Sequence, residues 1–356
     1  MSKRVHFVDF ARSYAIFLAL TDHSFNDFGI WSTYAFSEYP FIKLLTTSAT
    51  PLFLFLFGMM LELIYLRRLK EKGLSAIKPK LFKRSFQCYL GFILTSIAGL
   101  IGGYLTLKSA FATTFFAANT HYGNILKIYS VLIILAIPLL LIRKKYGIWS
   151  LIALSIAIWC FYPIFNSIDI NNGSINIFMS AMFGIGESGG PSVLHSISIV
   201  SIGMLSASFI DFKDKWKFPK YNAILLLILL TITGFILFIT PWGEFLDKYF
   251  NNIYRDTNHP IYYSVALSLA VIHIIIFSAL IPLGTKLKPW TKHLLLFGRN
   301  SLSAFTIANI ILNLIFLRIE NISFSFLAPL GFILIVYILI FIYERIDNKM
   351  KAKQLS

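Results

Sequence analysis

The chain has 356 residues, of which 57% are hydrophobic, 16% aromatic and 13% charged, with a formal net charge of +16. Soluble domains run about 45–50% apolar and about 25% charged, so a soluble fold would have no place for so much Phe, Leu and Ile, and disordered chains lack these residues. The bilayer is the solvent that fits, and a positive charge gathered on one side of a membrane replaces the nucleic-acid surface that a strongly basic soluble protein would suggest.

A helix crosses the hydrocarbon with about 20 mostly apolar residues. By that rule the chain reads as an all-α, polytopic transmembrane bundle of ten spans, near 7–25, 44–66, 86–105, 124–142, 147–165, 193–210, 222–240, 261–283, 293–317 and 324–343. A membrane β-barrel would instead show alternating segments of about ten residues. The stretch 175–186 is apolar but short, so a re-entrant or interfacial piece is expected there. No loop is long enough to fold alone, so residues 1–356 read as a single integral-membrane domain. Asp9 and Arg12 interrupt the first apolar run and no small-residue cleavage site follows, which argues against a removable signal peptide.

Lys and Arg collect in cytoplasmic loops. With ten spans, 24 of the 32 fall on the side that carries both termini and 6 on the other, while Arg12 and Arg299 lie inside spans. Both termini are therefore expected in the cytoplasm, with the protein a multi-pass resident of the cell membrane (the cytoplasmic membrane, if bacterial). The basic run from Arg67 to Arg84 reads as an orientation signal and a contact for anionic membrane lipid, or as a partner for the phosphates of a nucleotide-bearing donor. Cys88 and Cys160 fall in different spans, and no His pair has metal-ligand spacing, so neither a disulfide nor a metal site is expected.

Ionisable residues within a span are costly and by default mark function or a buried pair. The first span carries the densest set: Asp9, Arg12, Asp22 and His23. Asp9 and Arg12 are neighbours on one helical face and can pair. Arg12 and His23 are eleven residues apart, close to three whole turns, so they share a face about 16 Å apart along the axis. One stripe thus offers a cation toward one mouth and an imidazole toward the other. The alternative is a structural ion pair and an interfacial His. An imidazole titrates near working pH, so His23 is suited to take a proton from a hydroxyl and return it to a leaving group. Asp22 points about 100° away and is poorly placed to orient that ring.

Asp9-x-x-Arg12, ten residues and then His23 resembles the Arg-x10-His signature of the acyltransferase-3 membrane proteins. The resemblance extends to Ala49-Thr-Pro-Leu-Phe-Leu-Phe-Leu-Phe-Gly58 and to Gly298-Arg-Asn-Ser-Leu-Ser-Ala-Phe305, which is similar to a segment of related proteins that include glucan succinyltransferases. Ser13 stands where a Gly commonly follows the signature Arg, and Asn309 where many relatives have a late His. The resemblance implies transfer of an acyl group, often acetyl, from cytoplasmic acetyl-CoA or another acyl-CoA to a hydroxyl of a glycan or lipid-linked sugar, with no metal. His23 would be the catalytic residue, as general base or as carrier of the acyl group, with Arg12 and Asp9 assisting. Arg299, Asn300 and Ser301 would bind the phosphate or pantetheine of the donor, or else snorkel and cap the helix.

Glu187 lies on the acceptor side and is a candidate to hydrogen-bond a sugar. It falls within Gly186-Glu-Ser-Gly-Gly190, a formal G-x-S-x-G match that lacks the α/β sheet a nucleophile elbow needs. His195 and His273 read as hydrogen-bonding residues of the bundle. The competing class is a proton-coupled transporter or flippase in which Arg12, His23 and Glu187 line a path. No inverted repeat or paired broken helices favour it.

Overall fold

The computed structural model describes residues 5–33, 39–168, 170, 172–186, 190–214, 216–281, 283, 291–314 and 327–355. Among them the chain is helical, with no strand. The principal helices are α1 (His6–Asp27), α2 (Pro40–Lys72), α3 (Lys78–Ile101), α4 (Asn124–Tyr146), α5 (Trp149–Asn166), α6 (Val193–Ser208), α7 (Lys217–Phe238), α8 (Pro260–Leu280), α9 (Ser301–Leu314) and α10 (Leu327–Leu355). Each expected span overlaps one of them, and the ninth, 293–317, is divided, with the short helices Thr291–Leu294 and Leu296–Arg299 before α9. Seven, namely α2 to α5, α7, α8 and α10, are long and apolar enough to cross a membrane. The α6 and α9 helices are shorter apolar helices, and α1 is long but interrupted by its ionisable residues.

The exposed surface is that of a membrane protein. On α7, Phe238 is 89% exposed and Phe235 67%, with Leu227, Ile228 and Ile232 beside them. A row of this kind is untenable in water and ordinary against lipid. The short apolar stretch expected near 175–186 forms a helix, Gly173–Phe183, opened by the Asn172 side chain, which accepts from the Ile175 N–H.

Packing is closest where side chains are absent. In hydrocarbon no hydrophobic force joins helices, so close backbone approach and polar contacts do the work. The α2 and α6 helices cross at Gly58 and Gly203: a Cβ at Gly58 would lie 2.1 Å from the Val200 carbonyl oxygen, and one at Gly203 2.1 Å from that of Phe55. Between α2 and α4 the contact is ionic, with Arg143 donating to both carboxylate oxygens of Glu62 at 2.7 and 3.1 Å. Glu62 belongs to a π-helical segment, Leu61–Leu66, within α2.

The α1 helix runs through the middle of this assembly, packed on α2, α8, α9 and α10. Gly298 allows the closest of these approaches. A Cβ there would sit 2.1 Å from the Asp9 carbonyl oxygen, and the Gly298 N–H donates to Ser13 Oγ at 2.7 Å. Ser13, at the position where Gly is common in the resembling proteins, thus fastens the segment leading into α9 onto α1.

Candidate functional site

Two cavities lie along the polar face of α1. One, of about 450 Å³, is lined by Arg12, Lys80, Lys83, Arg84, Gln87 and Ser301 together with an apolar wall that includes Phe53, Phe57, Met60 and Tyr129. The other, of about 300 Å³, is lined by Asp22, His23, Asn26, Lys43, Asn119, Tyr122, Lys127 and Arg255 among others. Ala19, Thr50, Ile125 and Phe305 line both. The eleven-residue spacing therefore puts Arg12 into one chamber and His23 into the next, on either side of these shared lining residues. Both face the protein interior.

Arg12 reaches α9, where its Nη2 donates to Ser301 Oγ at 2.7 Å. Asp9 is buried one turn earlier, beneath Gly298. Of the three residues expected to hold a donor, only Ser301 lines the cavity with Arg12. Arg299 is turned to α10 and makes two 2.8 Å bonds to the carboxylate of Glu344, which also accepts from Asn300. Glu187 lies outside the described residues.

His23 is held on three sides. Its Nδ1 lies 3.0 Å from Asn309 Oδ1, its ring stacks on Tyr122 at 4.3 Å, and Phe305 meets it edge-on at 5.6 Å. Asn309 is fully buried, and its Nδ2 donates to the Tyr122 carbonyl at 3.1 Å. That second bond turns the amide so that its oxygen faces the imidazole. An amide oxygen only accepts, so Nδ1 carries the proton and Nε2 keeps its lone pair. Asp22 is engaged elsewhere, with Lys43 at 3.2 Å and Thr46 at 2.9 Å, as its direction on the helix predicts.

The wall opposite α1 comes from the segment before α4. Tyr122 donates to Asp27 at 2.7 Å and accepts from Asn26 at 2.7 Å. His121 lies beside it, stacked on Tyr104 at 4.1 Å, and burial holds its imidazole down to about 4. His195 and His273 are buried in the bundle, bonded to Ser192 Oγ and the Leu269 carbonyl, as expected of bundle residues. Among the described residues no group of three metal-ligating side chains gathers.

The roles of Asn309, Tyr122, Lys43, Lys127 and Arg255 were not legible from periodicity or motif, although Asn309 stood out as a departure from the resembling proteins. The basic run did carry a usable signal, since Lys80, Lys83 and Arg84 converge on the Arg12 cavity.

A family model described as OpgC protein matches residues 4–115, the part of the chain that carries Arg12, His23, Lys43 and the basic run. Comparison with curated proteins and with solved structures finds no match.

Proposed function

We propose that the protein is a membrane acyltransferase that takes an acyl group from acyl-CoA in the Arg12 cavity and delivers it to a glycan or lipid-linked sugar hydroxyl in the His23 cavity. The observation that carries this reading is the pair of neighbouring chambers that share Ala19, Thr50, Ile125 and Phe305 as lining, each with one member of the Arg12–His23 stripe in its wall. The OpgC match supports it, since that family is glucan succinyltransferase-like and the match covers the segment bearing both residues. The wider resemblance to acyltransferase-3 proteins points the same way.

In this reading all ten helices cross the cell membrane and both termini are cytoplasmic. The basic cavity then opens toward the acyl-CoA pool. Lys80, Lys83 and Arg84 offset the phosphates of the donor, and the apolar wall accepts the pantetheine arm. Arg12 and Ser301 sit in the same wall, where the arm would turn toward the His23 cavity, with Asp9 buried behind them. Arg299 and Asn300 act at one remove, anchoring α9 to α10 through Glu344.

The chemistry follows from the tautomer. His23 Nε2 removes the proton of the acceptor hydroxyl as its oxygen attacks the thioester carbonyl. The C–O bond forms, the C–S bond breaks, and the imidazolium returns the proton to the departing CoA thiolate. The Nδ1 bond to Asn309 supports this role by keeping the Nε2 lone pair free. Asn309 acts through His23 and is a positioning residue. Glu187 remains a candidate contact for the sugar.

The test is transfer of label from acyl-CoA to glycan by purified protein in lipid, wild type against His23→Ala. The reading expects transfer by wild type and its loss in the variant. Uptake without covalent transfer would favour a transporter, and equal transfer by the variant would remove His23 from the mechanism.

A further inference from the structure

On the ten-span reading, only six of the 32 Lys and Arg residues of the sequence fall away from the side of the chain termini: Lys43, Lys108, Lys127, Lys248, Arg255 and Arg318. Three of these six, Lys43, Lys127 and Arg255, line the His23 cavity. They arrive there from separate elements: Lys43 from the start of α2, Lys127 from the first turn of α4, and Arg255 from the short helix Ile253–Asp256. A convergence of this kind is not produced by helical spacing.

The three are not equally neutralised. Lys43 pairs with Asp22 at 3.2 Å, and Arg255 bonds the adjacent Asp256 through Nε at 3.0 Å. Lys127 is 1% exposed, and its Nζ donates to Asn119 Oδ1 at 2.7 Å. Among the described residues it makes no ion pair. A buried ammonium held by a neutral amide retains most of its desolvation cost. Its place in the first turn adds to that cost, because the positive end of the helix dipole repels it. Replacing such a residue with an apolar one would favour the fold, so its presence beside a cavity calls for a ligand.

We propose that the acceptor carries an acidic group, a phosphate or a carboxylate, and that Lys127 with Arg255 forms the subsite that holds it beside His23. The assignment to acceptor rather than donor follows from position. All three cations line the His23 cavity and none of them lines the Arg12 cavity, which has its own cations in Lys80, Lys83 and Arg84. The proposal rests on the acyl-transfer reading for the identity of the bound molecule as an acceptor, while the anion subsite itself can be read without any turnover.

The experiment uses the full chain in lipid nanodiscs and two variants, Lys127→Met and Arg255→Gln. First, thermal unfolding is followed during titration with glucose 1-phosphate and with glucose. Wild type is expected to gain stability with the phosphate and not with the neutral sugar, and each variant to lose that difference. Unliganded Lys127→Met is expected to melt at or above the wild-type temperature, whereas a merely structural Lys127 would make it melt lower.

Second, acetyl-CoA is supplied with paired acidic and neutral sugar acceptors. The ratio of kcat/KM for the acidic over the neutral acceptor is expected to fall at least tenfold in Lys127→Met. A fall in both alike, with the ratio unchanged, would overturn the subsite. So would preference for a dicarboxylic over an acetyl donor on a neutral acceptor that vanishes in the variant, since the anion would then belong to the donor. Wild-type protein that binds the phosphate but transfers no acyl group would keep the subsite and refute the acyltransferase reading.

Discussion

Substituting Asn309 separates the orientation of His23 from its presence. The buried amide accepts from Nδ1 at 3.0 Å and is itself fixed by the 3.1 Å bond to the Tyr122 carbonyl. Asn309→Leu conserves volume but removes both bonds, leaving the Nδ1–H of His23 and the carbonyl of Tyr122 without partners. A buried polar group left unsatisfied costs about 1–3 kcal/mol. If the cost to the imidazole is felt in the transition state, where its charge develops, kcat falls by about 5- to 150-fold. The neutral tautomer with the proton on the wrong nitrogen becomes accessible at the same time, which deepens the loss. Asn309→His retains a ring nitrogen able to accept, so it is expected to lose less than Asn309→Leu. The assay is steady-state acyl transfer in lipid, with kcat and both KM values resolved, alongside thermal unfolding. A fall confined to the melting temperature, with kcat per folded molecule unchanged, would refute the positioning role.

Other consequences follow from single contacts. Gly203→Ala places a Cβ about where the Phe55 carbonyl oxygen already lies, so it should destabilise the α2–α6 crossing by about 1–3 kcal/mol, read as a lowered melting temperature. Arg299→Ala strips Glu344 of a two-bond partner and should cost about 1–3 kcal/mol of stability with KM for acyl-CoA unchanged. Lys83→Ala or Arg84→Ala, in the Arg12 cavity, should do the reverse if that cavity takes the donor: a higher KM for acyl-CoA with a shallower salt dependence, since exposed charges are screened. Burial holds His121 down to about 4, while the unfolded chain protonates that residue near 6.5. The His121 contribution to stability should therefore be full above about 6.5 and decline as pH falls toward 4, so His121→Gln should remove that component of the slope in a melting-temperature series.

The helices were legible because their signal is local. A run of apolar residues defines each segment without knowledge of its neighbours, and each expected segment overlaps a helix among the described residues. The loaded stripe of α1 was legible for the same reason, since eleven residues return to the same face. What escaped is long-range. Asn309 meets His23 across 286 positions and Tyr122 across 187, and no period or motif announces such a pairing. Arg299 illustrates the opposite case. An Arg at the entry of a span fits donor binding and snorkelling equally well, and only the arrival of Glu344 from α10 shows where its guanidinium goes. The expected ninth span, 293–317, is divided in the structure, with the short helices Thr291–Leu294 and Leu296–Arg299 before α9, a break that the run of apolar residues does not announce.

The central claim is that acyl groups pass from the Arg12 cavity to an acceptor at His23. Its most direct measurement is made in proteoliposomes with labelled acyl-CoA confined to the side of the chain termini and glycan acceptor confined to the other. The account predicts labelled glycan on the far side with wild-type protein and none with His23→Ala, although both bind acyl-CoA. Transfer that persists in His23→Ala, or label that crosses without joining the glycan, would contradict it.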